Sequence, residues 1–231
     1  MNTLCTICMR KGSKGLPNKN LKIINGKPLL SYTLNQALDS RIFNNIVIST
    51  DSEKIKRIIE KLGIKVFFMR PKRLSGDKVS KIDVIKHAVI KAEQEYKKRF
   101  EIIFDLDVTS PLRHISDIKK AYRLFMKNNS NNLFSVCEAR RNPYFNQVIK
   151  LKNGVSLVNN SKRKIVRRQD SPEIYDMNAS IYIWKREYLF RSKTLFGKKT
   201  SLYIMPFERS IDIDNYSDFR IVTLLLADKV K

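Results

Sequence analysis

Hydrophobic and polar residues follow each other along the chain in a pattern that predicts strands separated by helices. Short apolar runs predict five strands, at residues 4–8, 46–50, 66–69, 102–104 and 179–184. Ile and Leu recur at helical spacing between Ile55 and Leu62, preceded by Asp51-Ser52 as a cap and followed by Gly63, which predicts a helix. Further helices are predicted at residues 82–95, from 117 onwards and at 219–227. This order predicts an α/β fold with one doubly wound, mainly parallel sheet.

The region from about 138 to 170 has a different character. It is rich in Arg, Lys and Asn, and its strand-like piece at 148–151 runs into an Asn-Gly pair at 153–154, which indicates a hairpin. We interpret this region as an excursion from the core that serves self-association, within a single domain spanning 1–231.

The composition adds a large positive charge. The 231 residues include 46 Lys and Arg against 22 Asp and Glu, a formal net charge of +24. Such a charge favours nucleic-acid binding as one hypothesis. However, the basic residues are spread over most predicted helices, and the sequence contains no RNA-recognition or helix-turn-helix motif. The same charge would attract a nucleoside triphosphate or an acidic sugar, so no nucleic-acid partner is expected.

Targeting and redox features predict a cytoplasmic protein without a membrane partner. No apolar run reaches the length of about 18 residues that a membrane span needs. The N-terminus leads straight into the first strand without a secretory leader. Cys5, Cys8 and Cys137 are too few for a zinc site, and we expect them to be reduced and buried.

The loop after the first strand carries the clearest chemical signal. It reads RKGSKGLPNKN, with glycines on both sides of a serine among several cations. Backbone N–H groups that converge beside fixed positive charge hold polyphosphates. The spacing is neither a Walker A loop nor G-x-G-x-x-G, so dinucleotide binding is disfavoured, and a basic surface loop is the alternative. The residues of this phosphate site would be Arg10, Gly12, Ser13, Lys14, Gly15 and Lys19.

Two pairs of aspartates have the spacing of a metal site. Asp212 and Asp214 would share one face of an extended segment. Two carboxylates on one face need a cation or protons between them, which suggests a magnesium site. Asp105 and Asp107 have the same spacing at the end of a predicted strand. Solvated turn aspartates are the alternative for either pair, but nucleotide chemistry uses both a phosphate loop and such carboxylates.

The predicted fold would bring several of these motifs together. Ligands of doubly wound sheets bind beyond the carboxyl ends of the strands. The segments expected at that edge are 10–20, 50–51, 70 and 105–113. Arg70 is a further candidate for phosphate binding, and the polar run from 167 to 178 could grip a substrate carboxylate. No Ser-His-Asp arrangement indicates a hydrolase.

These motifs together resemble those of the acylneuraminate cytidylyltransferases, also called CMP-sialic acid synthetases. The family opening R-x-G-S-K-G-x-x-x-K-N matches residues 10–20 at every fixed position. The other matching motifs are S-T-D at 49–51, T-S-P-L-R at 109–113, R-Q…P…Y…N-A at 168–179, and D-x-D followed by D-F at 212–219. Agreement in this order from residue 4 to about 222 identifies the chain as a member of the family.

The resemblance implies a Rossmann-like nucleotidyltransferase that moves CMP from CTP to the anomeric hydroxyl of a nine-carbon 2-keto acid, for bacterial surface glycans. Pyrophosphate is the other product. The implied nucleotide-binding residues are Arg10, Gly12, Ser13, Lys14, Lys19, Asn20, Arg70 and Ser80. Those implied to be catalytic are Arg10, Lys14 and Asp214. Asp212 and Asp214 would hold Mg²⁺, with Mn²⁺ as an alternative.

The resemblance also implies a sugar site and a homodimer. The implied sugar-binding residues are Asp107, Thr109, Ser110, Arg168, Gln169, Tyr175 and Asn178. In the family the 138–170 excursion reaches into the partner's site. Arg141 and Tyr144 are therefore expected to act in trans.

One departure from the family concerns the acceptor sugar. The usual motif is Q-P-T-S-P-L-R, but Asp107 and Val108 replace its Gln and Pro. The family Gln belongs to the sugar pocket, so Asp107 should change which sugar is accepted. The D-L-D motif at 105–107 and the Y-D-M-N-A-S-I-Y-I run at 175–183 resemble the subgroup that activates legionaminic acid. The expected acceptor is legionaminic acid or a similar diamino sugar, with N-acetylneuraminate as the alternative; KDO, and UTP or GTP as donor, are disfavoured.

Overall fold

A six-stranded sheet lies at the centre of the protein. The computed structural model describes residues 1–12, 14–159, 165 and 167–227. The strands in these residues are β1 (Thr3–Met9), β2 (Ile23–Ile24), β3 (Lys27–Pro28), β4 (Asn45–Thr50), β5 (Ile102–Leu106), β6 (Asn132–Glu138), β7 (Val148–Leu151), β8 (Gly154–Leu157), β9 (Tyr175–Lys185) and β10 (Thr200–Ile204). The helices are α1 (Leu29–Ser40), α2 (Glu53–Lys61), α3 (Lys81–Tyr96), α4 (Ile115–Lys127), α5 (Arg186–Arg191) and α6 (Tyr216–Ala227).

The sheet is mainly parallel, as the sequence predicts. Its strand order is β10-β6-β9-β5-β1-β4. Strand β1 runs parallel to β4 and β5, and β10 runs parallel to β6. Strand β9 is antiparallel to both of its neighbours, β5 and β6. The pairs β2–β3 and β7–β8 form small separate hairpins.

Helices cover both faces of the sheet, because successive strand residues point to opposite sides. On β1, Cys5 and Ile7 join a buried cluster that also holds residues of α1, α2, α4 and α6. Leu4 points the other way, into a cluster with residues of α3 and α5. The doubly wound arrangement is therefore confirmed.

The prediction of a strand at 66–69 is wrong. This segment forms no strand and follows β4, which is an edge strand of the sheet. Its aromatic side chains pack on α3 instead: the ring centroids of Phe67 and Tyr96 lie 5.7 Å apart, and those of Phe68 and His87 lie 5.3 Å apart. The apolar run therefore reflects side-chain packing and not backbone pairing.

The helix signals are largely confirmed. The backbone N–H of Ile55 donates to Oγ of Ser52 at 3.3 Å, so this serine caps α2 as expected. Helix α4 begins two residues before Asp117, because the carboxylate of Asp117 reaches back to the backbone N–H of His114 at 2.9 Å. The sequence pattern does not single out α1, β6 or β10.

The hairpin predicted around the Asn-Gly pair is confirmed as β7–β8. Its apolar side chains are exposed, namely Val148, Ile149, Leu151 and Val155. The three cysteines carry free thiols; Cys5 and Cys137 are buried, whereas Cys8 is only half-buried. Within the described residues no helix has the length and apolar character of a membrane span.

Candidate active site

A cavity of about 320 Å³ lies at the carboxyl edge of β1, β4 and β5. It is lined by cations and carboxylates from distant parts of the chain: Arg10, Lys19, Arg70, Asp77, Lys81, Asp107, Asp212 and Asp214. Gly12, Asn20 and Thr109 also line it. Of the segments expected at this edge, residues of 10–20, 70 and 105–113 line the cavity, whereas 50–51 do not.

The loop at 10–20 is tied to the sheet near its start and is closed on itself at its end. The backbone N–H of Lys11 donates to Asp51 Oδ1 at 2.7 Å, which ties the loop to the end of β4. Asn20 donates from Nδ2 to the carbonyl of Arg10 at 3.2 Å, which closes the loop on itself. Ser13 lies outside the described residues, so its predicted phosphate contact stays a prediction.

The carboxylate of Asp77 contacts two cations of the loop, Arg10 and Lys14, which the sequence analysis did not predict. Nη1 of Arg10 and Nζ of Lys14 each lie 2.6 Å from one carboxylate oxygen of Asp77. The hydrogen bond from Lys14 and the charges of both cations lower the pKa of Asp77. The Lys14 side chain is 80% exposed, so the ammonium is open to an incoming anion.

Lys19 connects the loop to the second aspartate pair. Its side chain is 12% exposed, and Nζ donates to the carbonyl of Ile213 and, at 3.2 Å, to Oδ1 of Asp214. The segment 211–214 is not a strand; it is held by a hydrogen bond from Ile213 N to the carbonyl of Thr109 at 2.9 Å. Asp212 and Asp214 nevertheless both face the cavity.

Gly15 is required where the loop crosses this segment, because a Cβ there would overlap the backbone carbonyl of Asp214. We expect Gly15→Ala to lower the free energy of unfolding by about 2 kcal/mol, and to raise KM for CTP as the two segments move apart. Thermal melting and CTP titration would measure both effects. Gly12→Ala is the matched control for stability, because a methyl group there meets nothing within 4 Å. Equal melting temperatures for the two variants would contradict this account.

Asp212 is the carboxylate whose environment best suits a cation. Burial, followed by the charges of Asp107 and Asp214, raises its pKa to about 6. Its Oδ1 is buried and has no hydrogen-bond partner among the described residues. In those residues no group of three or more His, Cys, Asp or Glu side chains forms a metal cage. The pair Asp212 and Asp214 thus fits a divalent ion that takes its other ligands from substrate oxygens and water.

Asp107 lines the same cavity and is held by Thr109 and by Lys81 of α3. Its Oδ1 accepts hydrogen bonds from the backbone N–H of Thr109 at 3.3 Å and from the Thr109 hydroxyl at 3.0 Å. Its Oδ2 accepts one from Lys81 Nζ at 2.7 Å. Burial raises the pKa of Asp107, but the charge of Lys81 and these hydrogen bonds outweigh burial, so the net pKa is lowered.

Two predicted sugar-binding residues lie inside the protein. Ser110 is fully buried, and its hydroxyl donates to the carbonyl of Asn178 at 3.2 Å. The Asn178 side chain accepts from the Ser135 hydroxyl at 2.7 Å and donates to the Ser210 hydroxyl at 2.9 Å. These bonds join β6 and β9 to the segment that precedes Asp212. Both residues therefore help to hold that segment and do not themselves line the cavity.

The remaining predicted sugar residues lie elsewhere. Gln169 and Tyr175 line a second cavity of about 450 Å³, together with Asn142. The side chain of Arg168 lies outside the described residues. Near this second cavity Arg141 is exposed and Tyr144 is partly exposed.

Two further predicted nucleotide contacts, Arg70 and Ser80, differ in where their side chains lie. The guanidinium of Arg70 is buried, and it donates to the hydroxyl of Ser49 at 3.0 Å and to its carbonyl at 2.6 Å. Ser80 occupies the N-cap position of α3 and lines a neighbouring cavity of about 290 Å³ beside Trp184. Arg70 therefore reaches the main cavity, whereas Ser80 does not line it.

Cations and carboxylates gathered at the carboxyl edge of a doubly wound sheet define a nucleotide-binding α/β protein. A family profile described as Cytidylyltransferase matches residues 4–223. The chain belongs to the cytidylyltransferase family.

Relatives and solved structures agree with this assignment. A protein from Campylobacter jejuni named CMP-N,N'-diacetyllegionaminic acid synthase is 44% identical over 226 residues, which cover 98% of this chain and 95% of that protein. An N-acylneuraminate cytidylyltransferase from Streptococcus agalactiae is 34% identical over 95% of this chain, but only over 52% of its own length. A solved CMP:2-keto-3-deoxy-manno-octonic acid synthetase complexed with CTP superimposes with a TM-score of 0.71 at 17% identity, covering 99% of this chain and 100% of that one. This last likeness shows the fold.

Proposed function

We propose that the protein transfers CMP from CTP to the anomeric hydroxyl of a nonulosonic acid and releases pyrophosphate. The cavity at the carboxyl edge carries this proposal, because it gathers Arg10 and Lys19 with Asp212 and Asp214 from nearly two hundred residues later in the chain. Nucleotidyl transfer needs fixed cations for the phosphates and carboxylates for a divalent ion, and both are present in one cavity.

The loop cations would hold the triphosphate. Arg10 and Lys14 share the carboxylate of Asp77, a single negative charge. A triphosphate carries more negative charge than one carboxylate, so it would displace Asp77 from these cations. Asn20 would contact the rest of the nucleotide, since it lines the cavity and closes the loop.

The reaction is an in-line displacement at the α-phosphorus. The anomeric oxygen of the sugar forms the new bond, and the bond from the α-phosphorus to the pyrophosphate oxygen breaks. Arg10 and Lys14 stabilise the charge that develops on the leaving pyrophosphate. Asp214 would accept the proton of the sugar hydroxyl; its side chain is 77% exposed and lines the cavity, which supports this role.

Asp212 and Asp214 are the proposed ligands of Mg²⁺, with Mn²⁺ as the alternative. A bound divalent ion would neutralise part of the phosphate charge and orient the α-phosphate. The unpartnered Oδ1 of Asp212 and the raised pKa of that carboxyl support this assignment.

The carboxylate of Asp107 favours the assignment of an acceptor sugar with two amino substituents. A carboxylate only accepts hydrogen bonds, so it selects N–H and O–H donors on the sugar. Legionaminic acid carries two amino substituents, and the relative named as a diacetyllegionaminic acid synthase is 44% identical to this chain. N-acetylneuraminate is the alternative acceptor, and we place the reaction in the cytoplasm, where CTP is available.

The β7–β8 hairpin supports a homodimer. A two-stranded hairpin is marginally stable alone, and this one exposes Val148 and Val155 by 65% and 69%. A second copy of the chain would cover these side chains. Arg141 and Tyr144, at the base of the same excursion, would then lie near the partner's cavity.

The test is an acceptor panel. The purified protein is incubated with CTP, Mg²⁺ and either N,N'-diacetyllegionaminic acid, N-acetylneuraminic acid or KDO, and pyrophosphate release is followed. We expect the highest kcat/KM with the diamino sugar, by about 10-fold or more, since one matched hydrogen bond in a closed site contributes about this factor.

Asp214→Asn is the matched control, and it should abolish release with every acceptor while the protein remains folded. Preference for N-acetylneuraminate would retain cytidylyl transfer and overturn the diamino assignment. Absence of release with all three acceptors would contradict the proposed function.

A further inference from the structure

Lys81, the first residue of α3, lies where three elements of the fold meet. Its Nζ is 3.0 Å from Oδ2 of Asp105 and 2.7 Å from Oδ2 of Asp107. The same ammonium lies 4.3 Å from the centre of the Tyr182 ring on β9, within range of a cation–π interaction. A single cation thus joins a helix, the end of β5 and the antiparallel strand beside it.

The position of this cation follows from the carboxylates around it. The Asp105 side chain is 1% exposed and that of Asp107 is 24% exposed. The charge of Asp107 also raises the pKa of Asp212, so the repulsion between carboxylates includes Asp212, which lines the same cavity. Two such carboxylates would repel each other and any anionic substrate unless a cation lay between them. Lys81 is that cation, and the charges of Asp105 and Asp107 raise its pKa despite burial.

The hydrogen bonds of Asp107 leave one acceptor position open. A carboxylate has about four lone-pair sites. Two are used by the N–H and hydroxyl of Thr109, both on Oδ1, and one by Lys81 on Oδ2. The side chain is therefore fixed from both oxygens. These hydrogen bonds leave one lone pair of Oδ2 unused, and Asp107 lines the cavity.

We infer that Lys81 is a positioning residue for acceptor selection: it holds the Asp107 carboxylate so that its open lone pair accepts one N–H of an amide on the sugar. The inference rests on the proposed function. Lys81 acts through Asp107, because its own donors are directed at Asp105, Asp107 and the Tyr182 ring.

A double-mutant cycle tests this. Lys81→Met, Asp107→Asn and the double variant are compared with the parent protein for kcat and KM of N,N'-diacetyllegionaminic acid, and for KM of CTP. We expect Lys81→Met to lower kcat/KM for the sugar by about 30-fold or more, chiefly through KM of the sugar, as one partner of a partly buried, hydrogen-bonded pair is removed. On the Asp107→Asn background the same change should lower it by less than about 3-fold, because the Asp107 carboxylate that Lys81 would position is no longer present, although Asp105 remains beside Lys81.

Two further variants separate positioning from folding. Lys81→Arg keeps the charge and should stay within about 5-fold of the parent. Lys86→Met is the matched control on the same helix, since Lys86 Nζ contacts the carbonyl of Ser192 outside the cavity; it should leave all constants unchanged. If Lys81→Met does not fold, Lys81→Gln takes its place in the cycle.

The inference would be overturned if kcat/KM for the sugar fell in the double variant by the product of the two single losses. It would also be overturned if Lys81→Met raised KM for CTP as much as KM for the sugar. Both results would mean that Lys81 contacts substrate directly or supports the whole site. A parent protein that releases no pyrophosphate with any acceptor would instead contradict the proposed function. Activity of the parent with unchanged sugar constants in Lys81→Met would contradict the inference alone.

Discussion

Replacing Lys19 by methionine is expected to lower kcat/KM for CTP by about 100- to 1000-fold, the range seen when one preorganised charge is removed from an active site. The ammonium of Lys19 is nearly buried and contacts the carbonyl of Ile213 and the carboxylate of Asp214. Methionine preserves the length of the side chain and removes the charge. The variant would therefore leave Asp212 and Asp214 without the cation that joins them to the phosphate loop.

Pyrophosphate release at varied CTP, together with thermal melting, measures this effect. Lys27→Met is the matched control, because Lys27 is an exposed lysine on β3 that does not line the cavity. The control should keep the turnover of the parent. A folded Lys19→Met protein with full turnover of CTP would show that the cavity is not the nucleotide site.

Asp212→Asn is expected to stabilise the protein at pH 8 while it lowers turnover by about 100-fold or more. The pKa of Asp212 is raised from 3.8 to about 6 in the folded protein, so the folded state retains a proton that the unfolded state releases. The stabilisation that the protonated Asp212 carboxyl gives to the folded state is complete below about pH 4. It is lost as the pH rises through 6. Above that range the ionised carboxylate destabilises the fold by about 1–3 kcal/mol, and asparagine removes this penalty.

Melting in metal-free buffer at pH 4.5 and pH 8 tests the sign. At pH 8 the gain should be roughly 5 °C, and it should fall to about a third of that at pH 4.5. Asp39→Asn, which changes an exposed carboxylate on α1, should show no such dependence on pH. Equal destabilisation of Asp212→Asn at both pH values would contradict the account of the buried carboxylate.

Periodicity along the sequence predicts elements that bury one face and are capped locally. Helix α2 is an example, because Ser52 and Ile55 make its cap within four residues of sequence. The segment at 66–69 could not be assigned in this way. Its Phe67 and Phe68 are apolar because they pack on α3. Among the described residues β4 is an edge strand, and this sheet order cannot be read from the local sequence.

The site was predictable where a motif is local and unpredictable where a contact is distant. The loop at 10–20 and the pair Asp212 and Asp214 are visible as short patterns, and the structure places them around one cavity. Lys81 is one of 46 Lys and Arg residues, and nothing near it in sequence marks it. Its partners Asp105 and Asp107 lie more than twenty residues away, so only the fold reveals the contact.

The antiparallel strand β9 also has a consequence for how the chain is made. It pairs with β5 on one side and β6 on the other, yet it is synthesised some seventy residues after β5. Until residue 185 has left the ribosome, β5 presents an unpaired edge, and such edges invite association between nascent chains. Asp212 and Asp214 follow later still. The capacity to bind nucleotide therefore arises only once the segment with Asp212 and Asp214 has been made, after the sheet beneath it has closed.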